Sequence, residues 1–243
     1  MSEPASGILA AAERVPAYRA DAVRAAEKPL LAEGRPLMRW AAAALAEVVA
    51  EHLATPSGPV LVLAGAGDNG GDALYAAAEL CAVADRVDIV LVRDRVHRAA
   101  LDAAVTAGAR VRSASEVCGD MADYALVLDG ILGIGRLTDR RLRGGARAVV
   151  ECVRRLERQP FVVAVDVPSG LDPDDGTADA AVLAADVTVT FGALKAGLVR
   201  GRGPELAGRV HLVDLGLEPY LQLAHPAVTA PVRVVRVAGR AHS

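Results

Sequence analysis

Four short clusters hold the side chains of this 243-residue chain that could do chemistry. The first, Gly65-Ala66-Gly67-Asp68-Asn69-Gly70-Gly71-Asp72, sets three oxygen-bearing side chains among four glycines. The others are Asp129-Gly130-Ile131-Leu132-Gly133-Ile134-Gly135, then Asp166-Val167-Pro168-Ser169-Gly170, then Gly192-Ala193-Leu194-Lys195. Glycines let backbone approach a ligand closely, and oxygens in that setting suit hydroxyls, an amide or a hard cation. Gly65-x-Gly67-x-x-Gly70 also satisfies the dinucleotide fingerprint, with Asp88 or Asp94 available as the ribose-binding acid. It is not a P-loop, because no Lys-Ser/Thr pair follows. Asp68 and Asp72 would also occupy the helix-terminus position that a phosphate takes. As a plain helix cap, any one of Asp68, Asn69 or Asp72 would add about 0.5–2 kcal/mol, which accounts for one of the three.

Several chemistries are disfavoured. None of His52, His97, His211, His225 or His242 lies in the four clusters, and Ser169 is not in a G-x-S-x-G elbow, which argues against Ser-His-Asp catalysis. No His/Cys/Asp group has zinc spacing. Of 27 basic residues only Lys28 and Lys195 are lysines, so each stands out in a chain that otherwise uses arginine.

The elements that must position these groups follow from the apolar pattern. Near-continuous β-branched runs occur at Val60–Ala64, Val87–Val92, Ala125–Asp129, Phe161–Asp166, Val187–Phe191 and Val210–Asp214. Helix-like stretches fill several gaps: Ala73–Val83, His97–Ala107 and Gly145–Glu157. That alternation predicts a mostly parallel sheet covered on both faces, in one domain spanning 1–243. Each cluster directly follows a strand, so all four should meet at the carboxyl edge of the sheet. Residues 1–57 read as a helical segment packed on the domain, with helices over Pro16–Leu31 and Pro36–Leu53. The 226–243 tail holds a broken apolar run, expected to add an edge strand or to be partly disordered.

A net charge of −3 gives no general attraction to nucleic acid or an anionic membrane. No apolar run is long enough to span a bilayer, and no basic-then-apolar leader opens the chain. Cys81, Cys118 and Cys152 are far apart without a C-x-x-C, and are expected to be reduced thiols in a cytoplasmic protein.

Together the clusters resemble the NAD(P)H-hydrate epimerase family, also called the YjeF N-terminal domain, over about Leu37 to Leu217. Gly67–Ala73 is similar to its G-N-N-G-G-D-G, and Asp129 with Gly133-Ile134-Gly135 to D-x-x-x-G-x-G. Asp166–Gly170 is similar to D-[IV]-P-S-G, and Ala185–Lys195 to A-D-x-T-x-T-F-x-x-x-K. Asp68 and Ala73 depart from the family's Asn and Gly. The resemblance implies a three-layer α/β/α Rossmann-like fold, commonly dimeric. It implies epimerisation at carbon 6 of the hydrated nicotinamide ring of NADHX or NADPHX, ahead of a separate dehydratase. By position, Asp68, Asn69, Gly70, Gly71, Asp72, Gly133, Ile134, Gly135, Arg136, Leu137, Thr138, Asp139 and Asp166 would line the substrate site. Asn69, Asp129 and Ser169 would hold a potassium ion, and Asp166, with Lys195 on the same edge, would be catalytic. Two other readings stay open: a non-catalytic scaffold of the same fold, and an ordinary nicotinamide dehydrogenase.

Overall fold

The computed structural model describes residues 12–53, 58–136 and 139–236. The order is β1 (Glu13–Tyr18), α1 (Ala20–Ala32), α2 (Leu37–Ala50), β2 (Val60–Ala64), α3 (Asp68–Leu80), β3 (Val87–Leu91), α4 (Arg98–Thr106), β4 (Arg110–Val111) and α5 (Ala114–Gly119). Then follow β5 (Leu126–Gly130), α6 (Gly144–Arg154), β6 (Phe161–Val165), β7 (Val187–Phe191), β8 (Leu194–Lys195), α7 (Gly203–Leu206), β9 (Arg209–Asp214), α8 (Glu218–Leu221) and β10 (Val228–Arg236). The strands form one sheet in the order β4-β3-β2-β5-β6-β7-β9-β10-β1-β8. Every neighbouring pair is parallel except β10 and β1. The fully apolar strand β2 and the Val/Thr/Phe strand β7 are buried along their whole length, as expected of strands covered on both faces.

The amino-terminal segment is not wholly helical. Glu13–Tyr18 alternates outward and inward, the period of a strand, and pairs with both β10 and β8. The helix expected from Pro16 begins at Ala20. Val228–Arg236 is ordered as a strand, and it lies between β9 and β1 rather than at an edge. Residues 237–243 lie outside the described residues.

One half of the sheet must curl. Phe191 at the end of β7 and Leu194 in β8 are three residues apart, about 11 Å at full extension. Yet β9, β10 and β1 intervene between these strands in the sheet, four spacings or about 19 Å if flat. The sheet therefore bends back on itself, with Gly192 at φ 71° making the sharp exit from β7.

The expectation of three free thiols is corrected. Cys118 on α5 and Cys152 on α6 form a disulfide, because these two helices pack together and bring the Cα atoms to 5.7 Å across 34 residues of sequence. Only Cys81 is free. The pairing removes thiol state as an argument for a reducing compartment. Closing a loop of this length is worth about 2–4 kcal/mol, so Cys152→Ser should lower the urea midpoint clearly. An unchanged midpoint would show that the bond contributes nothing in solution. No helix among the described residues is long and apolar enough to cross a membrane.

Candidate active site

The carboxyl edges of β2, β5 and β6 sit side by side, and the loops leaving them open onto a cleft of about 760 Å³. Its wall includes Asp68, Asn69, Asp72, Gly133, Ile134, Gly135, Asp166 and Phe191. The first loop is tighter than its glycines suggested. Helix α3 already starts at Asp68, so Asp68–Asp72 is its first turn and not part of a long loop. The glycines serve close approach: a Cβ on Gly70 would run into the Gly65 carbonyl, and one on Gly133 would come within 2.8 Å of Asn69 Oδ1. Asp68 is exposed at the amino end of α3, where a carboxylate is favoured by the helix dipole.

Asp166 follows β6 with φ 67°, the one described non-glycine residue at positive φ. That geometry costs of order 1–3 kcal/mol and persists only where the surroundings over-determine it. Here they do. Its amide donates to Val189 O at 2.8 Å, and Oδ1 accepts from Thr190 Oγ1 at 3.1 Å. Lys195 Nζ lies 2.6 Å from the same Oδ1 and donates to Phe191 O at 2.7 Å. Lys195 is 1% exposed and so is not a strand-end surface charge. Strand β7 thus supplies two carbonyl acceptors and the Thr190 hydroxyl donor, while β8 supplies the ammonium.

Behind this pair lies a second buried cluster. Ser169 Oγ donates to Asp129 Oδ1 at 2.6 Å, and the Ser169 amide donates to Oδ2 at 2.9 Å. The Leu132 amide donates to Ser169 Oγ at 2.9 Å, which ties this cluster to the Gly133 backbone beside Asn69. Burial pushes the Asp129 carboxyl up, against the lowering effect of the Ser169 bonds. Asn69 is buried, and neither its Oδ1 nor its Nδ2 has a partner among the described residues. That is costly for an amide, by about 1–3 kcal/mol per unpaired group, so the side chain is suited to bind a group entering the cleft it lines.

The wall from α1 was not anticipated. Arg24, Glu27 and Leu31 recur at i, i+3 and i+7 and line the cleft, while Val23, Ala26 and Leu30 face the core. The Arg24 guanidinium donates to the Ile134 carbonyl, docking the helix onto the third wall. Burial pushes Glu27 up, with Asp166 and Asp68 adding to the rise and Lys195 and Arg24 opposing it. Burial also lifts Asp72 well above the carboxylate range, helped by Asp166, Asp68 and Glu27. Helical spacing in α1 was the available signal, but it reads equally as a surface face.

Other candidate residues lie away from the wall. Gly70 and Gly71 pack behind it, and Arg136 is exposed outside it. Asp139 is taken up by Arg141, through bonds of 2.9–3.2 Å, and by Arg143. Leu137 and Thr138 lie outside the described residues. Asp88 is not a ribose acid: it is fully buried and bound by Arg86, Arg110 and Tyr124. Among the described residues no three His, Cys, Asp or Glu side chains are grouped to hold a metal ion.

Comparison with known proteins decides the family. Residues 34–197 match the YjeF-related protein N-terminus. The chain belongs to the YjeF N-terminal family. A curated YjeF relative in Microbacterium testaceum, named NAD(P)H-hydrate epimerase, is 76% identical, covering 94% of this chain and 90% of its own. A Clavibacter michiganensis protein of the same name is 52% identical over 88% of this chain and 95% of its own. The Mycobacterium tuberculosis bifunctional NAD(P)H-hydrate repair enzyme Nnr is 40% identical, matching 87% of this chain but only 43% of its own. The crystal structure of the yeast protein ynu0 superposes with a TM-score of 0.67 at 20% identity, covering 76% of this chain and 84% of that one. That likeness confirms the YjeF α/β fold with its mostly parallel sheet.

Proposed function

We propose that this chain is an NAD(P)H-hydrate epimerase that interconverts the R and S forms of hydrated NADH and NADPH in cofactor repair. The observation that carries the reading is the buried Asp166–Lys195 pair, whose carboxylate lines a cleft with other walls from the family's two glycine loops. Asp166 is the acid/base group beside the reacting ring, and Lys195 with Thr190 fixes its carboxylate. Asp68, Asn69, Asp72 and Gly133–Gly135 hold the substrate, and Arg93 and Arg95 on the cleft wall offer positive charge to its phosphates.

A potassium ion fits the cluster of Asn69, Asp129 and Ser169. What supports it is the donor chemistry: oxygens only, one carboxylate, and a buried Asn69 carbonyl oxygen with no partner. Such an ion would supply positive charge that balances Asp129 and firms the Gly133 backbone. Potassium should therefore raise the melting temperature of the wild type, and Asn69→Ala should remove most of that increment. Equal shifts in both proteins would disprove the assignment.

A homodimer, a cytoplasmic location and a separate dehydratase complete the proposal. The last is supported by mycobacterial relatives in which the matched region is less than half of a bifunctional chain. The decisive experiment is chromatographic conversion of R-NADHX by the wild type. A rate no faster than spontaneous epimerisation would end the assignment.

A further inference from the structure

An epimerisation that removes a hydroxyl from one face and restores it on the other needs two proton-transfer groups. Protonation of the C6 hydroxyl lets the C6–O bond break; water leaves, and the ring-nitrogen lone pair forms C6=N1. Water then adds to the opposite face, the π pair returns to nitrogen, and a proton passes to a waiting carboxylate. One group has lost a proton and the other has gained one, with no change in the redox level of the ring. Running the reaction backwards exchanges their roles. Asp166, ion-paired with Lys195, is one such group.

We infer that Glu27 is the second proton-transfer group, reaching the ring from the α1 wall of the cleft; this rests on the epimerase reading. Glu27 lines the same cavity as Asp166 but comes from a different element. Among the described residues no group forms a hydrogen bond or ion pair with its side chain, so its carboxyl is uncommitted. Lys195 is paired with Asp166, Arg24 is bonded to Ile134, and Asp68 and Asp72 stand on the α3 turn. That Arg24 bond, one turn before Glu27, holds the helix and sets where the carboxyl points. Burial of Glu27 in the wall favours its protonated form, as an acid poised to donate requires.

The test compares Glu27→Gln, Glu27→Asp and Asp72→Asn with the wild type on R- and S-NADPHX, across pH, with NADP affinity measured by calorimetry. Glu27→Gln should lose about 10²–10³-fold in kcat in both directions. Its KM and NADP affinity should stay within about two-fold, and it should lose the wild-type pH limb that Glu27 governs. Glu27→Asp, which keeps a carboxyl, should recover at least about ten-fold over Glu27→Gln. Equal rates for Gln and Asp, a rise in KM with kcat unchanged, or loss of kcat in Asp72→Asn alone would each overturn the role. A wild type that does not beat the spontaneous rate removes the epimerase reading itself, and Glu27's role falls with it. An active wild type with an unimpaired Glu27→Gln removes only Glu27.

Discussion

Asp166→Asn should lower the epimerase rate by about 10²–10⁴-fold while leaving the protein folded. The two halves of that expectation have separate causes. Asn is among the few residues that accept the left-handed backbone at φ 67°, so the turn after β6 should survive. Its amide oxygen can still accept from Lys195, which keeps the ammonium from being stranded. What is lost is the carboxylate, and with it proton transfer. Single-turnover conversion of R-NADHX, read beside near-UV circular dichroism, checks both halves. A variant within three-fold of the wild-type rate would show that Asp166 only shapes the turn.

Lys195→Met should be the most damaging single change to stability. It leaves Asp166 buried, strained and without its cation. Breaking a buried pair by removing one partner costs about 3–5 kcal/mol, because the remaining charge is uncompensated. For a chain of this size that is a fall of roughly 10 °C in melting temperature. Activity should vanish as well. Asp166→Asn combined with Lys195→Met should recover part of the lost stability, since no lone charge then remains. Thermal melts of the two single variants and the double variant form the cycle. Additive losses in the double variant would mean that the 2.6 Å contact carries no coupling.

Much of this was written in the order of residues. The strand-then-cluster rhythm was legible because β2, β5, β6 and β7 are rich in β-branched and apolar residues and each runs into a polar or glycine-rich break. Asp129, Asp166 and Ser169 were found because their spacing to those strands is local. Lys195 stood out by composition alone. Other features depend on contacts distant in sequence. Glu27 looks like any charge on a helix face until the Arg24–Ile134 bond docks that face over the cleft. The Cys118–Cys152 bond needs α5 and α6 side by side, which no local pattern announces. Strand β1 was misread because its alternation spans only six residues before a long helical composition takes over. Asp68 departs from the family's Asn, and its exposed position at the head of α3 makes the added charge a favourable one.

The curl of the sheet has a consequence for how the enzyme is made. Strand β8, which carries Lys195, is held at its sheet edge by β1, and β1 is held in turn by β10. Residues 228–236 are therefore synthesised after the lysine whose surroundings they complete. During vectorial synthesis the α/β half can form first, with strands β2 to β6 already paired in order. The lysine then waits for β10 to slot between β9 and β1 before its neighbourhood closes. A nascent chain would reach its nucleotide fold before it reached a working active site.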